Sequence, residues 1–141
     1  MHACLKHILE VLIMFSSSLT HAQAGAPDPG TEALDRDVLL SVRNLHTYFS
    51  TDEGTVKAVN GVSFNIKKES VFGVVGESGC GKSITAMSVM QLLPKPHGRI
   101  HEGSILFRQR DGSVVDIAQQ DPTGPLMRRI RGNEITMIFQ E

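Results

Sequence analysis

One eight-residue motif constrains the fold of this chain more than any other feature of its sequence. Gly76–Ser83 reads GESGCGKS and matches the phosphate-loop pattern G-x-x-x-x-G-K-[ST] at every fixed position. An unbroken apolar run, Val71–Val75, precedes the motif, and a helix-patterned segment, Lys82–Leu93, follows it. A strand, a glycine-rich loop and a helix in this order predict an α/β fold organised around a phosphate-binding loop.

The segments on either side of the loop have different hydrophobic patterns. Val71–Val75 has no polar residue in alternation, which predicts a strand covered on both faces at the centre of a parallel sheet. Lys82–Leu93 predicts a helix that is stopped by Pro94 and Pro96. The free N–H groups and positive dipole end of this helix would face a phosphate in the loop.

The residue types of the motif fit phosphate chemistry. Backbone N–H groups close around phosphate oxygens only where side chains are absent and positive φ is allowed, which predicts this role for Gly76, Gly79 and Gly81. In such loops the Lys82 ammonium reaches the β- and γ-phosphates, and the Ser83 hydroxyl ligates Mg²⁺. We expect Lys82 to lie on a solvent-facing loop, outside the core. The nucleotide-binding set is completed by Glu77, Ser78, Cys80 and Ile84.

The residues before the loop predict three short antiparallel strands. Val38–Phe49 is rich in β-branched and aromatic residues, Ser50–Thr55 collects turn formers, and Val56–Val59 resumes a strand pattern. Asn60-Gly61 predicts a second turn. Val62–Ile66 then alternates apolar and polar residues, which is the period of a strand with one solvated face.

The first part of the chain does not share this pattern. Lysine and histidine precede an apolar stretch at Ile8–Phe15, and Ala22–Ala24 has the small-x-small pattern of a signal cleavage site, so a secretory leader is one interpretation. An acidic residue interrupts the stretch, which favours instead an extension outside the domain or a misassigned translation start. Residues 25–37 predict a linker, so we divide the chain into residues 1–37 and a domain at residues 38–141.

Composition argues against several classes of protein. Lys and Arg total 14 and Asp and Glu total 15, so no global positive field favours a nucleic acid, and none is expected as a partner. Two cysteines, Cys4 and Cys80, form no disulfide framework, which fits a reducing compartment. His97 and His101 lack the further ligands of a zinc site and predict a solvated loop.

From Val38 to Glu141 the sequence resembles the nucleotide-binding subunits of ATP-binding cassette (ABC) transporters, and specifically the oligopeptide, dipeptide and nickel importer type. Four stretches carry the resemblance: AVNGVSFNIKK (Ala58–Lys68), GVVGESGCGKS (Gly73–Ser83), LLPKPHGRIHEGSILF (Leu92–Phe107) and IRGNEITMIFQE (Ile130–Glu141). The phosphate loop alone would fit any P-loop NTPase. The last two stretches are much more specific to this family.

The resemblance implies an α/β fold of the ABC type of P-loop NTPase. This chain would hold the N-terminal antiparallel β-subdomain and the start of the parallel RecA-like core. ATP and Mg²⁺ are the implied cofactors. MIFQE is the implied strand leading into a loop whose glutamine, Gln140, contacts Mg²⁺ and the attacking water, so Lys82 and Gln140 are the implied catalytic residues. The resemblance places the adenine-stacking aromatic residue at Phe49, and Tyr48 is the second candidate. The alternative is that Phe49 packs in the β-subdomain core.

Two positions depart from the pattern of the family. Glu69-Ser70 stands where importers of this type carry Gly-Glu, so Glu69 must adopt positive φ if the turn requires it. Ile84 stands where a second hydroxyl residue often follows the Mg²⁺ ligand, which should slightly weaken contacts to the α-phosphate.

By the same resemblance, the function is that of an ATP-binding subunit, hydrolysing ATP when complete, that energises import of peptides or a similar solute. The implied partners are a second ATP-binding subunit, two membrane-spanning permease subunits and, indirectly, an external solute-binding protein, at the cytoplasmic face of the membrane. The LSGGQ signature, catalytic glutamate and switch histidine of the family have no counterpart in these residues, so we do not expect them to hydrolyse ATP alone. The alternative is a non-catalytic nucleotide-binding fragment from a truncated gene or gene model.

Overall fold

A computed structural model describes residues 13–15 and 34–139. These residues form β-strands, two α-helices and one 3₁₀ helix. In chain order they are β1 (Ile13–Phe15), β2 (Val38–Thr51), β3 (Gly54–Lys67), α1 (Lys82–Val89), β4 (Gly98–Arg108), β5 (Val114–Asp116), the 3₁₀ helix (Ile117–Gln119), α2 (Pro125–Ile130) and β6 (Ile135–Met137).

The main sheet has the strand order β3-β2-β4-β5, and each neighbouring pair is antiparallel. A second antiparallel pair joins β1 to β6. One face of the main sheet packs against α1, the 3₁₀ helix, α2 and β6 around the buried side chains of Leu40, Ile105 and Phe107. The opposite face is covered at one end by Leu34, which packs with Val38 and Leu106.

The N-terminal hairpin is longer and simpler than the sequence predicts. β2 and β3 have 14 residues each and are joined by a turn at residues 52–53. The prediction of a turn at Asn60-Gly61 is wrong, because both residues lie inside β3. The pairing of β2 with β3 continues past these two residues through local register shifts. Asn60 Oδ1 also lies 3.0 Å from Nδ1 of His46 on β2, which ties the two strands together at this point.

The predicted central strand is not formed in this structure. Val71–Val75 has no regular secondary structure, and Val71 and Val75 are 95% and 89% exposed. A strand that is apolar on both faces is stable only between neighbouring strands. Among the described residues none pairs with this run, and its main aromatic contact is Phe72 stacked on Phe64 at 5.1 Å between centroids.

Helix α1 ends at Val89, four residues before the predicted end at Leu93. Gln91 has a left-handed backbone with φ 52°, and Leu92 N donates back to Met87 O at 2.8 Å, which is the hydrogen bond of a Schellman cap. The Gln91 side chain holds this conformation because its Nε2 donates to Ile117 O at 2.7 Å. The helix therefore stops before either proline is reached.

The turn at Glu69 agrees with the prediction. Glu69 has φ 52°, so a residue with a side chain occupies the left-handed conformation that glycine adopts more easily. The Ser70 hydroxyl donates to Lys67 O at 2.7 Å across the same turn.

The predicted solvated loop holds only one of its two histidines. His97 is exposed, with Nδ1 3.1 Å from Ser50 O. His101 lies in β4 and stacks on the Tyr48 ring at 4.6 Å, so its part of the prediction is wrong. Within residues 34–139 the side chains form no group of three or more potential metal ligands of the His, Cys, Asp and Glu types.

None of the helices in the part of the chain that the structure describes is both long and apolar enough to cross a membrane.

Candidate functional site

The phosphate-loop motif folds into a turn that leads directly into α1. Gly79 and Gly81 have φ of 82° and 96°, as predicted for a loop that bends its N–H groups inward, whereas Gly76 is close to extended at 159°. Gly81 is the N-cap of α1 and, among the described residues, has no side-chain cap. The Gly81 carbonyl accepts hydrogen bonds from Thr85 N at 2.8 Å and Thr85 Oγ1 at 2.9 Å. Among the described residues, no side chain caps the first N–H groups of the helix, so these groups could bind a phosphate.

The glycines of the loop have different packing. A Cβ on Gly81 would lie 2.5 Å from the backbone oxygen of Ala58 in β3, so the loop touches the hairpin where a side chain has no room. A Cβ on Gly79 would have no described heavy atom within 4 Å. The loop thus packs against the hairpin at Gly81 and leaves space for a ligand at Gly79.

The loop is exposed at residues 76–80, as predicted, whereas the Lys82 side chain is buried within it. It is 9% exposed, and its Nζ donates to Gly76 O at 2.7 Å and Glu77 O at 2.6 Å. The same Nζ lies 3.6 Å from Cys80 Sγ. Both hydrogen-bond partners are neutral carbonyl oxygens, and an anion in the loop would meet the Lys82 ammonium in partly desolvated surroundings.

The remaining loop residues take separate positions. Glu77, Ser78 and Cys80 are exposed, and Ser83 is half-buried in the first turn of α1. Ile84 packs against the main core, and its carbonyl accepts a hydrogen bond from Ser88 Oγ at 2.7 Å. An apolar residue suits this position because it fills the interface between α1 and the sheet.

The two aromatic candidates lie on opposite faces of β2. Phe49 is half-buried, and its Cε1 lies 2.7 Å from where a Gly98 Cβ would stand, so the ring covers that glycine. Its position in β2 is two residues after Thr47, whose hydroxyl contacts α1, and this alternation puts Phe49 on the face of α1. Tyr48 lies on the other face, with Lys57 Nζ 5.5 Å from its ring centroid.

The C-terminal end of the predicted site is only partly visible. β6 ends at Met137 rather than running through MIFQE, and Ile138 and Phe139 are 56% and 59% exposed. Gln140, the predicted contact to Mg²⁺ and water, lies outside the described residues.

A buried hydroxyl pair that sequence analysis did not identify connects the hairpin to α1. Thr47 on β2 and Ser88 on α1 are both 0% exposed, and their Oγ1 and Oγ atoms are 2.8 Å apart. Ser88 also donates to Ile84 O. The sequence does show a threonine on an otherwise apolar face of the strand. It does not show that the partner of this threonine lies 41 positions away.

We expect Ser88→Ala to destabilise the fold more than Thr47→Val. A hydroxyl has one proton, so Ser88 gives its proton to Ile84 O and Thr47 must donate to Ser88. Ser88→Ala leaves the buried Thr47 proton without an acceptor, at a cost of about 1–3 kcal/mol, whereas Thr47→Val leaves Ser88 satisfied as a donor. Urea denaturation of both variants measures the difference. Equal loss in the two variants would contradict this direction of donation.

Comparison with known proteins agrees with this geometry. The family model of the ABC transporter matches residues 59–141. A probable peptide ABC transporter ATP-binding protein of Sinorhizobium fredii is 42% identical over 105 residues, which is 74% of this chain and 29% of that protein. The dipeptide transport ATP-binding protein DppD of Bacillus subtilis is 48% identical over 103 residues, or 73% of this chain and 29% of that protein. The glutathione import ATP-binding protein GsiA of Pectobacterium atrosepticum is 39% identical over 116 residues, or 82% of this chain and 18% of that protein.

The chain thus spans less than a third of the length of these relatives. The match includes the whole phosphate loop, α1 and the later strands, and it extends over more than half of the chain. The phosphate loop of residues 76–83 and the sequence match point to the same conclusion, and this chain belongs to the ABC transporter family.

Proposed function

We propose that this chain is the N-terminal part of an ATP-binding subunit that energises import of peptides or a similar solute. The observation that carries the proposal is the loop at residues 76–83, in which Lys82 Nζ is held inside the turn and Gly81 rests on the hairpin. A loop of this kind could bind several phosphate-containing ligands. The match to the ABC transporter family favours ATP among them.

The residues fit Mg-ATP at the phosphate end. Backbone N–H groups of the loop and the first turn of α1 would hold the phosphate oxygens, and Lys82 would contact the β- and γ-phosphates. Ser83 would ligate Mg²⁺, with Gln140 as the second proposed ligand. When bound, Mg²⁺ neutralises charge on the phosphates and helps orient them. Phe49 is the proposed adenine contact, and it would gain about 1–3 kcal/mol from stacking.

The proposed partners are suggested by the names of the relatives. Those proteins are described as ATP-binding proteins of peptide, dipeptide and glutathione transport. We accordingly propose a second ATP-binding subunit, two membrane-spanning permease subunits and, indirectly, an external solute-binding protein as the assembly, with this chain peripheral at the cytoplasmic face. Hydrolysis in this assembly would use Lys82 and Gln140. The division into residues 1–37 and a domain at 38–141 is part of the same proposal.

A second candidate is a non-catalytic nucleotide-binding fragment. The two candidates differ in the nucleotides that come after codon 141 in the gene. An in-frame continuation into LSGGQ and an acid-ended hydrophobic strand supports the transporter subunit. A stop codon at that point supports the fragment.

Cys80 offers a direct test of nucleotide binding in the loop. Cys80 is exposed, and its Sγ lies 3.6 Å from Lys82 Nζ. In the full chain with Cys4→Ser, we expect a maleimide to label Cys80 and Mg-ATP to slow the labelling. At 100 times the dissociation constant, mass action predicts slowing of about 100-fold.

Mg²⁺ with adenosine, which has no phosphates, is the matched control and should give no protection. Labelling measured by mass spectrometry gives the rates. The same rate with and without saturating Mg-ATP would refute the proposal that residues 76–83 surround the nucleotide phosphates.

A further inference from the structure

The buried contact between Thr47 and Ser88 lies where the hairpin crosses the helix of the phosphate loop. Both side chains are fully buried, and their oxygens are 2.8 Å apart. Since Ser88 donates to Ile84 O at 2.7 Å, the hydrogen bonds run in one direction from Thr47 to Ser88 to Ile84. This chain of hydrogen bonds fixes the last turns of α1 against β2.

A second contact fixes the other end of the same helix. Thr47 pairs with Val59 and Tyr48 with Lys57, so Ala58 is an extra residue at a register shift in β3. The Ala58 carbonyl is the group that approaches Gly81, the N-cap of α1. The hairpin thus contacts α1 at its N-cap through Ala58 and near its last turn through Thr47.

The same hairpin carries the proposed adenine contact. Phe49 follows Thr47 by two residues in β2, so the two residues share a face and lie about 7 Å apart along the strand. The phosphate loop leads directly into α1. Any shift of α1 along the hairpin would therefore change the separation between Phe49 and the phosphate loop.

We propose that Thr47, acting through Ser88, is a positioning residue that sets the separation of the adenine and phosphate subsites. This inference rests on the proposed function. Thr47 contacts no part of the nucleotide. Its hydroxyl fixes α1, and with it the phosphate loop, relative to Phe49 on the same strand.

The inference predicts different effects on two ligands. ATP occupies both subsites, so it binds less tightly when their separation is no longer fixed. Inorganic triphosphate contacts only the loop, so its affinity depends on the loop and not on the hairpin spacing. Thr47→Val keeps the shape of the side chain and leaves Ser88 bonded to Ile84 O, so it removes only the hydrogen bond that joins β2 to α1.

Isothermal titration of the full chain with Mg-ATP and with Mg-triphosphate tests the inference. We expect Thr47→Val to weaken ATP binding by about tenfold, the effect of one lost hydrogen bond, and to leave triphosphate binding within about twofold. Thr47→Ser restores the hydroxyl and should bind both ligands as the parent chain does. Ser41→Ala is the matched control, because Ser41 is a buried hydroxyl residue on the same strand at 2% exposure.

Two outcomes would overturn the inference alone. Thr47→Val could weaken both ligands equally, which would indicate a general effect on the loop, or it could weaken neither. A parent chain that binds triphosphate and ATP with equal affinity would also overturn it, because no adenine subsite would then contribute. A parent chain that binds neither ligand would overturn the proposed function and the inference together. Circular dichroism of each variant confirms that the fold is retained.

Discussion

Replacing Lys82 by alanine is expected to weaken Mg-ATP binding by at least about 100-fold, comparable to the loss of one preorganised donor in an anion site. The Lys82 ammonium donates to Gly76 O and Glu77 O within the loop, so the substitution removes both the charge and two hydrogen bonds that shape the turn. In a subunit extended to the length of its relatives, hydrolysis should be abolished for the same reason. Fluorescence titration with a labelled nucleotide measures the affinity.

Lys57→Ala is the matched control for this substitution. Lys57 is exposed on the hairpin, with its Nζ over the Tyr48 ring on the face away from α1, so its loss changes the net charge equally without touching the loop. Parent-like affinity is expected for Lys57→Ala. Equal affinities for Lys82→Ala and the parent would refute the assignment of Lys82.

Gly81→Ala is expected to abolish nucleotide binding and to lower the free energy of unfolding by about 2–5 kcal/mol. Left-handed backbone in a residue with a Cβ costs about 1–2 kcal/mol, and overpacking against the hairpin adds about 1–3 kcal/mol. Gly81 has φ 96°, and its Cβ would lie 2.5 Å from Ala58 O, which is backbone and has little freedom to move. Chemical denaturation and nucleotide titration of the same sample give both quantities.

Gly73→Ala is the control for this prediction. Gly73 precedes the loop, and a Cβ there would have no described atom within 4 Å and needs no positive φ. Its effect on stability should stay within about 0.5 kcal/mol. If Gly81→Ala binds Mg-ATP as tightly as Gly73→Ala does, the contact between the loop and the hairpin has no role in the site.

The local features of the site could be predicted because they depend on nearby residues. The pattern at residues 76–83 predicts the positive φ of Gly79 and Gly81, and the resemblance to importers with glycine at position 69 predicts a left-handed Glu69. The Ile105–Phe107 run of the family stretch also lies in a strand, β4. Each of these features arises from backbone sterics over a few residues.

Features that depend on distant partners were predicted less well. Val71–Val75 has the composition of a buried strand, but a strand forms only when neighbouring strands are available to pair with it. Asn60-Gly61 is a frequent turn pair, yet hydrogen bonds to β2 keep it inside β3. The burial of Lys82 likewise depends on the carbonyls of the folded turn, which no residue pattern displays.

The contact between Thr47 and Ser88 shows the same limit. Neither residue belongs to a motif, and the register shifts that bring Thr47 and Ala58 to α1 arise only when the hairpin is paired. The residues proposed to contact the phosphates can thus be named from the sequence. The residues that hold the loop in place required the structure.

The central claim is that residues 76–83 enclose the phosphates of a bound nucleotide. Titration of the ¹⁵N-labelled full chain with Mg-ATP, monitored through its backbone amide resonances, tests it most directly. We predict that the largest shift changes occur at Gly79, Gly81, Lys82 and Ser83, and that Mg-triphosphate reproduces them at the loop. Saturable binding of Mg-ATP that leaves these four amides unchanged would contradict the account.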